Sequence, residues 1–145
     1  MHERVAIVAE NGQGPFGATV TMGAHEIPAD EPTDLGGLGA GPDPYEFLLA
    51  GLGACTTMTL RLYAQRKGWP LDRVEVTVRH AERASEGAAK DVFTREIRLD
   101  GDLSTEERAR LLHIAERCPV SKTLAAGSTI RSTLSDAGLI GDATS

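Results

Sequence analysis

Residues 41–69, GPDPYEFLLAGLGACTTMTLRLYAQRKGW, constrain this chain more than any other stretch. Pro42 and Pro44 stand at its start, no further proline interrupts it, and Gly68 closes it. Proline suits the first helical turn and glycine the position just past the last, so the segment predicts one long helix. Phe47, Leu48, Leu49, Leu52, Ala54, Met58, Leu60 and Leu62 surround its axis instead of keeping to one stripe. That distribution predicts a buried helix, about 30 Å long at about 1.5 Å per residue. After Thr56 come Arg61, Gln65, Arg66 and Lys67, a polar end that argues against a membrane span. Cys55 falls in the middle, among Gly51, Gly53, Ala54, Thr56 and Thr57. Residues this small let a partner helix, another backbone or a ligand come close.

The strands expected around this helix are short. Residues 4–9 and 16–22 read as two strands joined by a turn at Gly12, Gly14 and Pro15, and residues 25–29 as a third, giving an antiparallel meander. Residues 28–41, PADEPTDLGGLGAG, form a loop leading into the helix. Its glycines lack a following Gly-Lys-Ser/Thr and a preceding strand, which argues against a nucleotide cradle. Val74, Val76 and Val78 alternate with polar residues, as a half-buried strand does. Residues 82–91 are polar and read as a loop, and Phe93, Ile97 and Leu99 make the inner face of the next strand. Arg95 shares that inner face. The favoured reading is a packed stem with its head in water; the sharper one is a guanidinium beside a buried carboxylate or thiolate.

Ser104 and Glu107 form a capping box that opens a second helix, with Leu111, Leu112, Ala115 and Cys118 assigned to one face. Pro119 ends that helix near Cys118 and opens a short one closed by Gly127, with Cys118 as its cap residue. Residues 128–134 read as a last strand and 135–145 as a tail. One domain spans residues 1–145, ordered over about 4–134, without repeats.

The chain's 145 residues are 41% hydrophobic and 25% charged, ordinary for a globular protein, and a net charge of −6 without a basic patch excludes nucleic acid and anionic membranes as expected partners. The N-terminus does not read as a signal peptide, which predicts a cytoplasmic protein with reduced thiols. His2 and His25 show no metal-ligand spacing with a cysteine, so neither metal nor cofactor is expected, and the histidines read as surface or core-edge residues. Two cysteines remain as chemistry. A thiolate is the nucleophile, and Cys118, at a helix start beside Arg117, has the better local case for one. Cys55, mid-helix among apolar residues, has the worse case. No CxxC occurs, zinc lacks ligands, and no histidine base is placed for a papain-like nucleophile. Two separated thiols suit peroxide reduction through a sulfenic acid, if the fold brings them within bonding reach.

The segment GPDPYEFLLAGLGACTTMTLRLYAQRKGWPL, with ERCPVSKTL and the capping box before it, resembles the OsmC/Ohr family, osmotically inducible and organic-hydroperoxide-resistance proteins, and its OsmC-like branch above all. The resemblance covers about residues 4–134. It implies an α+β fold in which two chains intertwine as a homodimer, their central helices packed together and sheets wrapped outside. It implies thiol-dependent reduction of organic hydroperoxides, with Cys55 attacking, Cys118 resolving, and an external dithiol restoring both. In the hydroperoxide-resistance branch a glutamate lies ten residues before the attacking cysteine; here that position is Tyr45, and the carboxylate comes one later, at Glu46. At about 100° per residue, Glu46 and Cys55 face opposite sides of a regular helix. Glu46 is a candidate catalytic residue either as a dipole-complementing carboxylate or for the partner chain's site. The family's arginine from the N-terminal strands has no counterpart in ENGQGPFG. Two other readings of the same scaffold stay open: a small-molecule-binding module without turnover, and a different thiol reaction at Cys55, such as acyl or sulfur transfer.

Overall fold

A computed structural model describes residues 3–81 and 91–135 and has an α+β architecture. Strands β1 (Ile7–Glu10), β2 (Ala18–Met22) and β3 (His25–Ala29) form an antiparallel meander, with Val8 opposite Val20 and Val20 opposite Ile27. Helix α1 (Pro44–Lys67) comes next, then the antiparallel pair β4 (Leu71–Ala81) and β5 (Val92–Gly101). Helices α2 (Thr105–Ala115) and α3 (Pro119–Ala126) complete the order.

The signals at both ends of α1 work as expected. Asp43 caps the helix by accepting from the Glu46 amide, Glu46 reaches back to the Asp43 amide at 2.9 Å, and Pro44 occupies the first turn. Gly68 ends the helix in the left-handed region at φ 70°, which a Cβ would oppose. Between these caps, Leu52, Thr56, Leu60 and Ala64 are buried, a stripe with a step of four residues. The stripe packs into a core with Leu71, Leu103, Leu111, Ile114 and Ala115, which Tyr63, Trp69, Val74, Ile97 and Leu99 flank.

Several expectations are corrected. Within one chain α1 is covered on one side only: β4, α2 and α3 pack on it, while Leu48, Leu62 and Met58 stay exposed, Met58 by 69%. Its most apolar 18 residues have a mean hydropathy of 1.3, so by length and composition alone α1 would pass as a membrane span despite its polar end. Arg61 nevertheless ties that end to β4, donating to the carbonyls of Leu71 at 2.6 Å and Asp72 at 3.2 Å. On α2 the buried face is Leu111, Ile114, Ala115 and then Cys118; Leu112 points outward, 59% exposed. The i, i+3, i+4, i+7 geometry selects Ile114 over Leu112. Residues 128–134 make no strand. An extended segment becomes a strand only with a ladder partner, and Ile130 and Leu134 are exposed instead. The loop expected at 82–91 lies, over 82–90, outside the described residues, as does the tail beyond Ser135.

The loop before α1 is ordered by one buried carboxylate. Asp30 accepts from the amides of Glu31, Leu38 and Ala40 at 2.8 to 3.1 Å. The Ala40 amide does most to hold its pKa below the ordinary carboxylate range, against the opposing effect of burial. A lowered pKa means the ionised form stabilises the fold: that contribution is present above the usual carboxylate range and fades as pH falls through the folded value.

The two leucines of α2 give a direct check on this packing. Leu111→Ala is expected to destabilise by ~2–5 kcal/mol and Leu112→Ala by no more than about 0.5 kcal/mol, measured by urea unfolding at fixed protein concentration. Equal losses would mean that the buried face of α2 is misassigned.

Candidate active site

Three elements meet at the middle of α1. Gly53 lets β4 come close, since a Cβ there would stand 3.3 Å from Val78 Cγ2. Val78 is paired with Arg95 across the β4–β5 ladder. On β5, alternation turns Phe93, Arg95, Ile97 and Leu99 inward and Thr94, Glu96 and Arg98 outward. The register therefore carries Arg95 to the buried side of α1, one step beyond Gly53. From the other direction, α2 ends at Ala115, and the chain turns through Glu116 and Arg117 to Cys118. The Cys118 amide donates to the Ala115 carbonyl at 3.3 Å, and Pro119 starts α3. Cys118 is the cap residue, as the Cys-Pro order predicts, and its side chain is fully buried.

The two sulfurs, 63 positions apart in sequence (118 − 55), are brought near enough for each to act on the other's ionisation. Both thiols are free, Cys55 half-buried and Cys118 buried. Burial, followed by the hydrogen bond and charge of Cys118, pushes the Cys55 thiol up; the Val120 amide and the Thr59 hydroxyl pull the other way without prevailing. Burial also acts upward on Cys118. There it is outweighed by the hydrogen bond with Cys55, the Ser121 amide, the Thr56 hydroxyl and the Val120 amide, and the Cys118 thiol is held below its ordinary range. Groups this close share their protons and titrate as a pair. The direction agrees with the local sequence reading, in which a helix start favours the Cys118 thiolate.

Arg95 does not send its head to water, the reading favoured from sequence. Its side chain is 12% exposed, and both terminal nitrogens of its guanidinium are engaged. Nη1 donates to Thr56 Oγ1 at 3.1 Å and to the Ala115 carbonyl at 3.0 Å; Nη2 donates to the Glu116 carboxylate at 3.1 Å and to Ser121 Oγ at 3.3 Å. Thr56 is the link that sequence reasoning missed. Its Oγ1 lies 2.7 Å from the Leu52 carbonyl and 3.9 Å from Cys118 Sγ while it accepts from Arg95. The available signal was a lone polar residue within the Leu52, Leu60, Ala64 stripe.

Glu46 sits elsewhere in its own chain. It is exposed, engaged in the α1 capping box, and about 13 Å along the helix from Cys55 at ~1.5 Å per residue. It borders an apolar hollow of about 790 Å³ between the meander and the start of α1, with Met22, Ile27 and Phe47. A second cleft of about 470 Å³ is walled by Leu52, Val92, Phe93 and Leu124 and shares Leu52, Arg95 and Ser121 with the surroundings of the thiols. Of the histidines, His80 lies between the rings of Tyr45 and Phe93, with Nε2 3.2 Å from Asp91. Among the described residues no histidine, cysteine, aspartate and glutamate cluster has a metal-holding arrangement.

A fold with a cysteine in its central helix and a second at a Cys-Pro helix start defines a class of thiol proteins. The chain belongs to the OsmC-like protein family, whose profile matches residues 37–133 and thus includes both cysteines. Solved structures agree on the fold. An OsmC-like protein from Mycoplasma pneumoniae is 20% identical with a TM-score of 0.73, covering 86% of this chain and 88% of that one. An organic hydroperoxide resistance protein OsmC from Legionella pneumophila is 24% identical with a TM-score of 0.66, covering 84% and 88%. The organic hydroperoxide resistance protein OhrB of Bacillus subtilis is 24% identical with a TM-score of 0.59, covering 83% and 89%. No curated protein sequence matched the chain.

The proximity of the two thiols predicts disulfide closure. Mild oxidation with diamide is expected to remove both thiols and give a Cys55–Cys118 bond within one chain, read by non-reducing peptide mass mapping. Disulfides found only between chains would contradict the geometry.

Proposed function

We propose that this chain is a thiol peroxidase that reduces organic hydroperoxides with the Cys55–Cys118 pair and is returned to the dithiol state by an external dithiol. The observation that carries the reading is the pair of neighbouring free thiols next to a cleft whose walls are mainly apolar, with Asp91, Arg95 and Ser121 as its polar members. Apolar walls suit an alkyl or aryl group, and the half-buried Cys55 is the sulfur a peroxide can reach. Cys55 attacks the peroxide and becomes a sulfenic acid; Cys118 closes the disulfide. Several family relatives of this fold are named organic hydroperoxide resistance proteins, which supports the same chemistry.

A homodimer belongs to this proposal. Leu48, Met58 and Leu62 leave large apolar side chains exposed on α1, as a helix packed against a second copy would. A second copy packed on α1 covers them, and would bring another Glu46 to the assembly.

One observation favours a second reading, a binding module on the same scaffold: burial pushes the Cys55 thiol up, which slows attack. The two are separated by mixing the reduced protein with cumene hydroperoxide and counting thiols. Peroxidase chemistry predicts loss of both thiols per equivalent of peroxide, with Cys55→Ser losing neither at a comparable rate. Unchanged thiols in the wild type would remove the peroxidase and leave the binder. Light scattering of the native protein is expected to give twice the chain mass; a monomer at micromolar concentration would remove the dimer.

A further inference from the structure

The thiol pair is bordered by a second hollow besides the cleft at Leu52. Thr59 stands one turn beyond Cys55 on α1, and its hydroxyl acts on the Cys55 thiol. Thr59 also lines a hollow of about 200 Å³ between α1 and the end of α2, together with Tyr63, Arg66, Ile114 and Arg117. Arg117 directly precedes Cys118. The mainly apolar cleft touches α1 before Cys55, at Leu52, and this hollow touches it after Cys55. Resting on the peroxidase reading, we propose that the second hollow receives the reductant, seating the carboxylate of an anionic thiol on Tyr63, Arg66, Arg110 and Arg117 while its thiolate reaches the Cys55–Cys118 disulfide.

The charge of the hollow is gathered by the fold. No run of basic residues marks it in the sequence, because Arg66 and Lys67 come from the last turn of α1, Arg110 from α2 and Arg117 from the turn after α2. Tyr63 is their common point. Arg110 Nε donates to the Tyr63 hydroxyl at 3.0 Å, and Arg110 and Lys67 each stand 5.7 Å from the ring centroid. The Arg110 hydrogen bond, followed by the charges of Arg110, Lys67 and Arg117, holds the Tyr63 phenol below its ordinary range against burial. The phenol oxygen accepts from Arg110 and so keeps its own proton to donate. Arg66, Lys67, Arg110 and Arg117 are exposed, and none forms an ion pair among the described residues. Glu116 is taken by Arg95 and Glu107 by the α2 capping box; Glu106, one turn before Arg110, makes no ion pair with it. On a chain of net charge −6, unpaired cations around a phenol donor mark a place for an anion.

Reach and accessibility agree with this role. Thr59 lies about 6 Å and Tyr63 about 12 Å along α1 from Cys55, at ~1.5 Å per residue. A thiol whose carboxylate stands that far from its sulfur spans the two. Met58, 69% exposed and offered to a second copy, lies about 140° around α1 from Tyr63, so the dimer face and the Tyr63 face are different.

The exchange balances. The reductant attacks as a thiolate, which cations attract. It attacks the Cys55 sulfur; a new S–S bond forms as the Cys55–Cys118 bond breaks, and Cys118 leaves as a thiolate and takes a proton from solvent. A second reductant thiolate attacks the sulfur that the first one brought. The mixed disulfide opens, and Cys55 leaves as a thiolate and takes a second proton. One protein disulfide and two thiols give one reduced protein and one reductant disulfide.

The test uses full-length protein oxidised with diamide, so no peroxide enters it. Reduction is followed at low salt with glutathione, with its diethyl ester, which lacks the carboxylates, and with uncharged dithiothreitol, each rate taken per thiolate. In the wild type glutathione is expected to outpace the diester by about 10-fold, an advantage that added salt removes. Arg66→Glu and Arg117→Glu should each lower the ratio of the glutathione rate to the dithiothreitol rate, and the double variant should abolish the preference for glutathione over its ester. Tyr63→Phe should lower the ratio less. A change that merely loosened the disulfide would move all three reductants together and leave the ratios as they were. Should the disulfide not close, S-methylglutathione, which cannot react, decides by calorimetry: it is expected to bind the reduced wild type and not the double variant. Equal rates per thiolate for glutathione and its ester in the wild type, or the absence of S-methylglutathione binding, would overturn the proposal. So would a charge-reversed variant that light scattering shows to have lost its partner copy, since the cluster would then belong to the interface. A protein that ignores cumene hydroperoxide yet keeps the preference for glutathione would lose the peroxidase reading alone.

Discussion

One stripe on α1 fixes where the chemistry sits. Leu52, Thr56, Leu60 and Ala64 recur every four residues, drifting slowly around a helix of about 3.6 residues per turn, and only this line is buried by the chain's own β4, β5, α2 and α3. Leu60 and Ala64 anchor the apolar core with Leu111 and Ala115. Thr56 is the one polar member, and β5 and the α2–α3 junction converge on it. Cys55, one residue earlier, sits about 100° around the helix at the boundary of the buried stripe. That is why it is half-buried while its partner sulfur is sealed.

Burying Arg95 there requires complete satisfaction of its hydrogen bonds. Moving a guanidinium out of water costs several kcal/mol unless its donors are met. Four acceptors take the donors of its two terminal nitrogens: Thr56, the Ala115 carbonyl, Glu116 and Ser121. Two of these acceptors serve the helices as well, because the Ala115 carbonyl, at the end of α2, also takes the Cys118 amide, and Ser121 lies in the first turn of α3. The break between α2 and α3 at Pro119 is therefore both what exposes an acceptor for Arg95 and what points amides at Cys118. An uninterrupted helix through this region would supply neither.

The parts of this arrangement differ in how far a sequence reveals them. Local signals were legible: the Ser104 capping box, the prolines and Gly68 that bound α1, the Cys-Pro start of α3 and the meander are set by residues a few positions apart, while the Asp43 capping box went unread. Juxtapositions across the fold were not. Nothing near Arg95 announces the Ala115 carbonyl or Ser121, and the inward position of a long cation is equally compatible with a snorkelling head. The choice between Leu112 and Ile114 turned on a single 100° step. Residues 128–134 illustrate a further limit, since their alternation describes a face but not the edge that would pair with it. The two cysteine motifs, by contrast, carried the family because they combine a helix signal, small neighbours and a Cys-Pro turn in fixed order.

The placement of charge is a consequence of the same packing. A thiol removed from water resists ionisation, and two neighbouring thiols resist a second ionisation even more. Which sulfur resists more depends on fixed dipoles. Cys55 lies mid-helix, where neighbouring amides are consumed by the helix itself, and receives only the Val120 amide and Thr59. Cys118 lies before the first turn of α3, where amides are unpaired by construction, and has Thr56 in addition. The asymmetry is thus built into backbone topology: one sulfur sits half-buried in the middle of α1, and the other is sealed at the start of α3.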